Sequence, residues 1–370
     1  MTLKNIAVIG LGNIGLRTLE RLTDLGYNTI GIDSSLSSVR RAETLGLRAV
    51  IGDASNPQGI EEAAGFQPDI VVTALPGSVA YSIVEKLVGH GYNVVDVSFF
   101  PEDPRPLKRS AEEKGSTVVV DAGIAPGYSN YLVGKAFRLV KANRAYIYVG
   151  GLSKEPNPPL GIAATWSTYD LLEEYIRPAR MVKDGEITSV NPLEAEVSII
   201  EFPGVGRLEA FPTDGLRSLI YSYQGSMREL VEYTLRRPGH LDFMKSLARI
   251  GFLSDQPVKM TGCTVSPREC LAKIIEKSVS GLEDIVVLSV EAEGEGGLYR
   301  ADLLVEQSGG WSAMATATSG FQVAVTRLLA EEKLPTGLVY PERLGEDEDL
   351  SNDLKGFLEP EGLKATERLE

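Results

Sequence analysis

Cysteine and histidine are scarce in this sequence, with two of each among 370 residues. Two cysteines are too few for a disulfide-stabilised scaffold, and no CxxC pair or Cys/His cluster of the kind that binds zinc is present. No apolar run approaches the roughly 18 residues that cross a bilayer. These absences predict a protein of a reducing compartment, the cytoplasm, with no metal site.

Basic residues are also in deficit, because 37 Lys and Arg face 51 Asp and Glu and give a net charge of −14. Such a chain repels phosphate backbones and anionic lipids, so neither nucleic acid nor a membrane is an expected partner. Residues 341–370 hold ten of the acids and only four bases. We therefore expect an acidic C-terminal segment over 346–370 that serves solubility.

Short apolar runs alternate with amphipathic segments over residues 1–125. Most of the runs are β-branched and apolar throughout, as in strands that are buried on both faces of a parallel sheet. They are Ile6–Ile9, Thr29–Ile32, Ala49–Ile51, Ile70–Ala74, Val94–Val97 and Thr117–Val120. Repeated strand–helix alternation predicts an α/β fold with a doubly wound parallel sheet of the Rossmann type.

The pattern changes after Pro126, where Asp-Gly and Pro-Gly turns separate the apolar runs. Three longer runs joined by Gly-rich turns predict an antiparallel meander; they are Ile285–Glu293, Leu298–Gln307 and Trp311–Thr318. Met227–Arg236 is predicted to be helical. We expect an α+β domain with a mixed or antiparallel sheet over 126–318, and a helix at Gly320–Glu332 within a return to the first domain over 319–345.

Gly10-Leu11-Gly12-Asn13-Ile14-Gly15 fits the G-x-G-x-x-G pattern and lies between a predicted strand and a predicted helix. Gly10 permits the tight turn, Gly12 lets the backbone approach a pyrophosphate, and Gly15 lets helix and strand pack closely. The helix N-terminus offers unpaired N–H groups to the phosphates. The motif therefore predicts a dinucleotide site to which Asn13 and Ile14 also contribute.

Asp33 ends the next strand, 18 residues beyond Gly15. We expect it to bond the adenosine ribose and to repel a 2′-phosphate, which favours NAD over NADP; the alternative is a helix N-cap. Arg40 and Arg41 are expected to lie too far away to support NADP. Further cofactor contacts are predicted at strand ends, at Asp53, Ala74, Leu75, Pro76, Ser98 and Gly123.

Two resemblances accompany these motifs. Ile6–Ser55 resembles the NAD-binding regulatory domains of potassium channels and transporters. Nearly the whole chain resembles the saccharopine dehydrogenase family, and most of all its short branch that contains lysine 6-dehydrogenase. The motifs that carry this second resemblance are Val95–Phe99, Asp121–Gly127 with Asn130, Gly150–Leu152 with Pro156–Pro158, Glu209–Phe211 with Gly215–Arg217, and Arg236 with Pro238–His240.

The second resemblance implies a Rossmann domain interrupted by a mixed-sheet domain that holds substrate and forms a dimer. It also implies an NAD-dependent amino-acid dehydrogenase, with oxidative deamination of the lysine ε-amine to 2-aminoadipate 6-semialdehyde and ammonia as the first expectation. The sequence departs from the family at Ala317–Gln322, where Arg-Thr-Thr-Gly-Tyr-Pro is typical, and at Arg237, where Tyr is usual. These departures leave the identity of the substrate open.

Two alternatives are kept. A saccharopine or other secondary-amine dehydrogenase would need a second carboxylate-binding arginine, for which Arg180 and Arg207 are available. The other alternative is a non-catalytic NAD-sensing protein, although the family motifs after Pro126 argue against it.

Lysine oxidation needs a proton acceptor and a carboxylate clamp. Asp96 and Asp121 end the fifth and sixth strands and are candidates for the amine proton, unless they only cap the next loops. His240 is a further catalytic candidate, unless it is a helix N-terminal contact. Arg217 is the expected carboxylate clamp and Arg236 the second choice. Asn130 is expected to orient substrate or cofactor, or to cap the following helix.

Overall fold

The computed structural model describes residues 4–163 and 167–370. Its strands are β1 (Asn5–Ile9), β2 (Asn28–Asp33), β3 (Ala49–Ile51), β4 (Ile70–Thr73), β5 (Asn93–Asp96), β6 (Thr117–Val119), β7 (Ala142–Ser153), β8 (Ala179–Lys183), β9 (Glu186–Val190), β10 (Ser198–Phe202), β11 (Gly206–Pro212), β12 (Glu229–Arg236), β13 (Val258–Met260), β14 (Cys263–Val265), β15 (Asp284–Gly294), β16 (Gly297–Glu306), β17 (Gly337–Val339) and β18 (Thr366–Leu369).

The helices are α1 (Asn13–Asp24), α2 (Leu36–Thr44), α3 (Pro57–Ala64), α4 (Gly77–Gly89), α5 (Pro106–Lys114), α6 (Tyr128–Val140), α7 (Thr168–Glu173), α8 (Leu219–Ser222), α9 (His240–Arg249), α10 (Pro267–Ser278), α11 (Ala313–Ala330), α12 (Pro341–Glu346) and α13 (Glu348–Leu358). None of those described is both long and apolar enough to cross a membrane. The chain divides into two compact units: unit 1 is Met1–Lys135 with Ala315–Lys364, and unit 2 is Ala136–Met314 with Ala365–Glu370.

Unit 1 contains a parallel sheet, and its strand order over the described residues is β17-β6-β5-β4-β1-β2-β3. Its central strands are apolar on both faces and are covered by helices, which is why their sequences do not alternate. The order reverses between β1 and β4. In such sheets ligands bind beyond the carboxyl ends of the strands at this reversal, so the fold itself marks where a ligand is expected.

Unit 2 contains a mixed sheet in which β10-β11-β12-β7-β15-β16-β18 follow one another, while β8 pairs with both β12 and β9. Among the described residues of this sheet, the β12–β7 pair alone is parallel. One apolar cluster joins α7, α9 and α10 with Phe211, and a second cluster consists mainly of strand residues. The predicted fold class, a Rossmann sheet with a mixed-sheet α+β part, is confirmed.

Two element predictions in unit 2 are wrong. Met227–Arg236 contains β12 rather than a helix, because β7 and β11 pair with it on either side. Trp311–Thr318 is not the third strand of the meander, since α11 begins at Ala313. That helix is capped by Asp284, whose two carboxylate oxygens accept the N–H groups of Ala313 (2.7 Å) and Met314 (2.8 Å). The third meander strand is β18, from the end of the chain.

The acidic segment over 346–370 contributes residues to both units. Helix α13 buries Leu354 and Leu358 in unit 1, and β18 pairs with β16 in unit 2. The segment folds because its acids alternate with leucines at helical spacing, so one face is apolar. The boundaries between the two units fall near residues 135, 314 and 364. The sequence suggested boundaries near 125, 318 and 345.

Candidate functional site

The glycine turn after β1 has the geometry of a dinucleotide cradle. Gly10 has a φ of 89°, and a Cβ there would lie 2.4 Å from the Ala74 carbonyl oxygen. A Cβ on Gly15 would lie 1.8 Å from the Gly10 oxygen, so both positions require glycine. Gly12, the exposed N-cap of α1, would meet nothing within 4 Å. The space above this helix N-terminus fits a pyrophosphate.

Asp33 lies beside this turn at the end of β2. Its Oδ2 accepts the N–H of Leu11 (2.6 Å) and its Oδ1 accepts the N–H of Ser35 (2.7 Å). The carboxylate is therefore fixed next to the glycine turn, where the ribose is expected to bind. The N-cap of α2 is Ser35 rather than Asp33, which removes the alternative role.

Arg41 reaches the turn, although the sequence suggested that it would not. Its Nη1 donates to Oδ1 of Asn13 over 2.9 Å, in the first turn of α1. Asn13 and its neighbour Ile14 are both half-buried. The turn is therefore flanked by a carboxylate at Asp33 and by a guanidinium at Arg41, which have opposite preferences for a 2′-phosphate.

Asp53 lies in the exposed loop after β3, on the outer side of the sheet. Its carboxylate accepts the backbone N–H (2.9 Å) and the hydroxyl (2.8 Å) of Ser55. These bonds hold the pKa of Asp53 below its usual value, the backbone bond contributing most. The residue is an ionised loop group at the carboxyl edge of the sheet.

Asp96 is fully buried at the end of β5, and its carboxylate joins two strand ends. It accepts the hydroxyls of Thr73 (2.6 Å) and Ser98 (2.8 Å) and the N–H of Ser98 (2.9 Å). The Ser98 hydroxyl oxygen in turn accepts the N–H of Leu75 over 3.1 Å, which fixes the loop before Pro76. Burial raises the pKa of Asp96 to about 7, and the charge of Asp121 adds to this rise.

Asp121 follows β6 and is buried, with the unusual φ of 56° for a non-glycine residue. The next residue, Ala122, donates its N–H to the Asp96 carbonyl over 2.8 Å. The structure therefore brings the two predicted acids of unit 1 together at neighbouring strand ends. Asp121 is held in a conformation that few side chains adopt, which is common where a residue is fixed for function.

The loop from Gly123 to Asn130 is held by its own polar groups. Gly123 donates its N–H to the Pro126 carbonyl (3.2 Å). Oδ1 of Asn130 accepts the N–H of Gly127 (3.3 Å) and the hydroxyl of Ser129 (3.0 Å), and Asn130 is fully buried. Through these hydrogen bonds Asn130 shapes the backbone at the start of α6.

In unit 2, His240 is buried at the start of α9 in a chain of hydrogen bonds. Its Nε2 lies 2.8 Å from the Tyr175 hydroxyl, and its Nδ1 bonds the Leu160 carbonyl. Burial lowers the pKa of His240 to about 3, and the charge of Arg236 contributes. A neutral ring with Nδ1–H toward Leu160 accepts the Tyr175 proton at Nε2. Both nitrogens are then engaged, which favours the helix-contact alternative over catalysis.

Arg236 is equally enclosed. Its Nε donates to the Tyr175 hydroxyl (3.1 Å), its Nη1 donates to the Leu235 carbonyl (2.9 Å), and its Nη2 pairs with Glu174. A guanidinium with these partners stabilises α7 against β12. Its contacts give it a structural role rather than that of a carboxylate clamp.

Arg217 is buried at a φ of 53°, close to an ion pair between Arg180 and Asp214. Arg180 donates from Nε (2.7 Å) and Nη2 (2.9 Å) to the two oxygens of Asp214, and from Nη1 to Tyr221 (3.2 Å). Arg180 is thus engaged by protein groups, and Arg207 is exposed on β11. The role of Arg217 as a carboxylate clamp stays a prediction.

Sequence reasoning missed Glu232. Residues that are two apart on a strand share a face, so Glu232, Thr234 and Arg236 line one side of β12. Because the segment was predicted to be a helix, this polar stripe was not apparent. Recognising β12 as a strand would have revealed a buried acid on the same face as Arg236.

Comparisons with known proteins agree with this description. A family model described as the saccharopine dehydrogenase C-terminal domain matches residues 123–363, and one described as the TrkA-N domain matches residues 6–84. A structure of saccharopine dehydrogenase (L-Glu forming) from Saccharomyces cerevisiae has a TM-score of 0.79 at 19% identity, over 99% of this chain and 100% of that one. This likeness shows the fold.

Two curated relatives show the extent of the sequence match. The Pyricularia oryzae protein named saccharopine dehydrogenase (NADP(+), L-glutamate-forming) is 26% identical over 299 residues, which cover 77% of this chain and 66% of that protein. The mitochondrial alpha-aminoadipic semialdehyde synthase of Bos taurus is 25% identical over 272 residues, 68% of this chain and 29% of the relative. The chain thus spans just under two thirds of the fungal relative.

The glycine cradle accounts for only the first part of the chain. The family match is broader: it runs over well more than half of the sequence and includes segments of both units. This protein therefore belongs to the saccharopine dehydrogenase family.

Proposed function

We propose that this protein is a nicotinamide-dinucleotide-dependent oxidoreductase that acts on a C–N bond of an amino acid. Lysine is the expected substrate, and its ε-amine is the group that reacts. The observation that carries this proposal is in unit 1, where two coupled, buried strand-end acids, Asp96 and Asp121, belong to the same sheet edge as the glycine cradle. Oxidation of an amine needs an acceptor for the ammonium proton beside the redox cofactor, because the amine must be neutral before hydride leaves.

In the proposed reaction the ε-ammonium of lysine first gives up one proton. The ε-carbon then loses a hydrogen with its electron pair, as a hydride. Water adds to the resulting iminium ion, ammonium leaves, and 2-aminoadipate 6-semialdehyde remains. The nicotinamide ring supplies the hydride acceptor when the cofactor is bound, and Gly10, Gly12, Gly15 and Asp33 are the residues that would hold that cofactor.

We assign to Asp121 the role of accepting the proton of the substrate ammonium group. Asp96 already accepts three hydrogen bonds, which fix β4, β5 and the Leu75 loop, so its role is to position that edge. The charge of Asp121 contributes to the raised pKa of Asp96, so the two carboxyl groups interact.

In unit 2, Arg217 is the proposed clamp for the substrate carboxylate. It is a buried guanidinium, and the fork of an arginine matches a carboxylate with two parallel hydrogen bonds. Arg236 and His240 both bond the Tyr175 hydroxyl, and we give them a structural role in unit 2.

Oxidation of saccharopine or another secondary amine is the second candidate. It is favoured by the names of the relatives, which are described as saccharopine dehydrogenases. The second carboxylate clamp that this substrate needs would have to come from a residue other than Arg180, which is engaged by Asp214.

For the cofactor we propose NAD, because Asp33 fixes a negative charge where a 2′-phosphate would lie. Two observations favour NADP instead: the position of Arg41 and the name of the fungal relative. Turnover with NAD and with NADP at equal concentration distinguishes these two alternatives.

The decisive experiment is an incubation of the protein with NAD or NADP and a panel of amino acids, in which absorbance of the reduced cofactor is followed. We expect growth with lysine. Growth with saccharopine alone would favour the second candidate, and no signal with any amine would favour a non-catalytic nucleotide sensor. We further propose a homodimer, supported by the broad sheet of unit 2, which light scattering of the purified protein tests.

A further inference from the structure

Gln322 on α11 is fully buried, and both ends of its side-chain amide are hydrogen-bonded within unit 1. Its Oε1 accepts the hydroxyl of Thr18 on α1 over 2.8 Å. Its Nε2 donates to the Thr73 carbonyl at the end of β4 over 2.9 Å, and lies 3.5 Å from the Val95 carbonyl oxygen on β5. Because carbonyl oxygens only accept hydrogen bonds, the amide NH2 group must face the strands and the amide oxygen must face α1. The side chain therefore joins α1 to two neighbouring strands in one orientation.

The surroundings of this amide are apolar. Its neighbours on α11 are buried and carry no polar side chain; they are Phe321, Val323, Ala324 and Val325. Removing an amide from water costs free energy, which its hydrogen bonds offset only in part. Buried polar groups whose partners are all present specify one geometry. We therefore expect the amide to fix where α1 and β4 lie relative to each other.

Thr73 is the residue through which the amide reaches the proposed cofactor site. Its carbonyl also accepts the N–H of Val97 over 3.2 Å, so both of its lone pairs are used. The carbonyl oxygen of the next residue, Ala74, is the atom that a Cβ on Gly10 would approach to 2.4 Å. The amide thus holds the base of the loop after β4, directly beside the glycine turn.

The side chain of Thr73 continues the set of hydrogen bonds. Its hydroxyl donates to Asp96 over 2.6 Å. Ser98 also donates its hydroxyl to Asp96 (2.8 Å), and the same oxygen accepts the N–H of Leu75 over 3.1 Å. Every side chain of this set from α1 to β5 is fully buried. The bonds therefore run without a break from the first helix to the loop where the nicotinamide half of a dinucleotide is expected.

We propose that Gln322 is a positioning residue for the nicotinamide half of the bound dinucleotide: its amide holds the end of β4 in place against α1, whose N-terminus would bind the pyrophosphate. This inference rests on the cofactor assignment of the proposed function. Gln322 acts through Thr73 rather than by contact with the cofactor. The ADP half depends on the glycine turn and on Asp33, so loss of the amide should spare binding of that half.

Gln322→Met removes both hydrogen bonds of the amide and keeps the length of the side chain. Calorimetric titration with NADH and with ADP-ribose, which lacks the nicotinamide ring, tests the proposal. NADPH and 2′-phospho-ADP-ribose replace them if NADPH binds more tightly. We expect the variant to weaken dinucleotide binding about 10-fold and ADP-ribose binding less than about 2-fold. Thr326→Val removes a buried hydroxyl that bonds the Gln322 carbonyl within α11 (2.8 Å), and it should leave both affinities unchanged.

A double-mutant cycle separates positioning from a general loss of stability. Thr18→Val keeps the shape of the side chain and removes the hydroxyl that orients the amide. It should weaken dinucleotide binding about 3-fold alone and add nothing in the Gln322→Met background. Urea titrations check that each variant is folded under the conditions of the binding experiment. Equal losses for the dinucleotide and for ADP-ribose, or additive effects of the two substitutions, would overturn the proposal.

The positioning role and the proposed function fail in different ways. A selective loss of dinucleotide affinity in Gln322→Met, with no amine oxidised by the wild type, would keep the role and overturn lysine oxidation. Turnover of lysine by the wild type, with unchanged dinucleotide affinity in Gln322→Met, would overturn the role alone. If the wild type binds neither NADH nor NADPH, both are overturned.

Discussion

The guanidinium of Arg41 on α2 donates a hydrogen bond to the side-chain oxygen of Asn13 at the start of α1, over 2.9 Å. A positive charge is thereby fixed at the glycine turn, opposite in sign to the Asp33 carboxylate. Steady-state kinetics with NAD and with NADP shows which of the two charges controls the choice of cofactor.

Arg41→Ala should reduce kcat/KM for NADP about 10-fold and that for NAD less than 3-fold, because only a 2′-phosphate gains from the guanidinium. The measurement is steady-state kinetics with both cofactors at saturating lysine. Arg40→Ala, a neighbouring exposed residue, is the matched control. Equal losses with both cofactors would show that Arg41 acts through the shape of the turn.

The two buried acids of unit 1 should respond differently to loss of charge. Asp121→Asn should lower kcat about 100-fold or more with little change in cofactor affinity, as expected for removal of a proton acceptor. Rapid-mixing absorbance and cofactor titration measure the two effects. Wild-type turnover in this variant would remove Asp121 from the mechanism.

Asp96→Asn should instead affect stability, since its carboxylate accepts three hydrogen bonds at two strand ends. We expect the free energy of unfolding to fall by about 1–3 kcal/mol in urea titrations. A variant that unfolds like the wild type but has lost turnover would give Asp96 the catalytic role instead.

Because His240 is buried, we expect the free energy of unfolding to fall at acid pH. Its pKa is about 3 in the folded chain and 6.5 in the unfolded chain, so below pH 6.5 the unfolded state binds the extra proton. Stability from this residue is present above pH 6.5 and falls as the pH drops toward 3. Between pH 7 and pH 5 the loss is about 2 kcal/mol.

Urea titrations across that range test this expectation. His240→Gln should be less stable than the wild type at pH 7 but should lose less stability on acidification. His90→Gln replaces the other histidine, which is exposed beyond α4, and should follow the wild-type curve. Parallel curves for His240→Gln and the wild type would contradict the assignment.

Unit 1 was largely predictable, because its determinants are local. Strands that are buried on both faces appear as continuous apolar runs, and the glycine turn has a fixed spacing. Short β17 was missed, since three residues have no pattern of their own and are ordered by pairing with β6, some 200 residues earlier in the chain.

The errors in unit 2 have a common cause, which is that distant residues decide the local structure. The first N–H groups of helix α11 are bound by Asp284, 29 residues away, so part of what fixes its start lies outside the local sequence. Strand β12 is defined by β7 and β11, and only its pairing reveals that Glu232 and Arg236 share a face. The candidate site was accordingly found in unit 1 and only partly in unit 2.

Gln322 on α11 donates to the Thr73 carbonyl over 2.9 Å and accepts the Thr18 hydroxyl over 2.8 Å, which joins α1 to the edge of β4. Thr73 and Thr18 precede Gln322 by 249 and 304 residues, and residues 136–314 of unit 2 lie between them in the chain. During synthesis the parallel sheet therefore lacks this amide and β17 until residues 136–314 have been made. Translation arrest after residue 314 should yield nascent chains that are protease-sensitive in their first hundred residues.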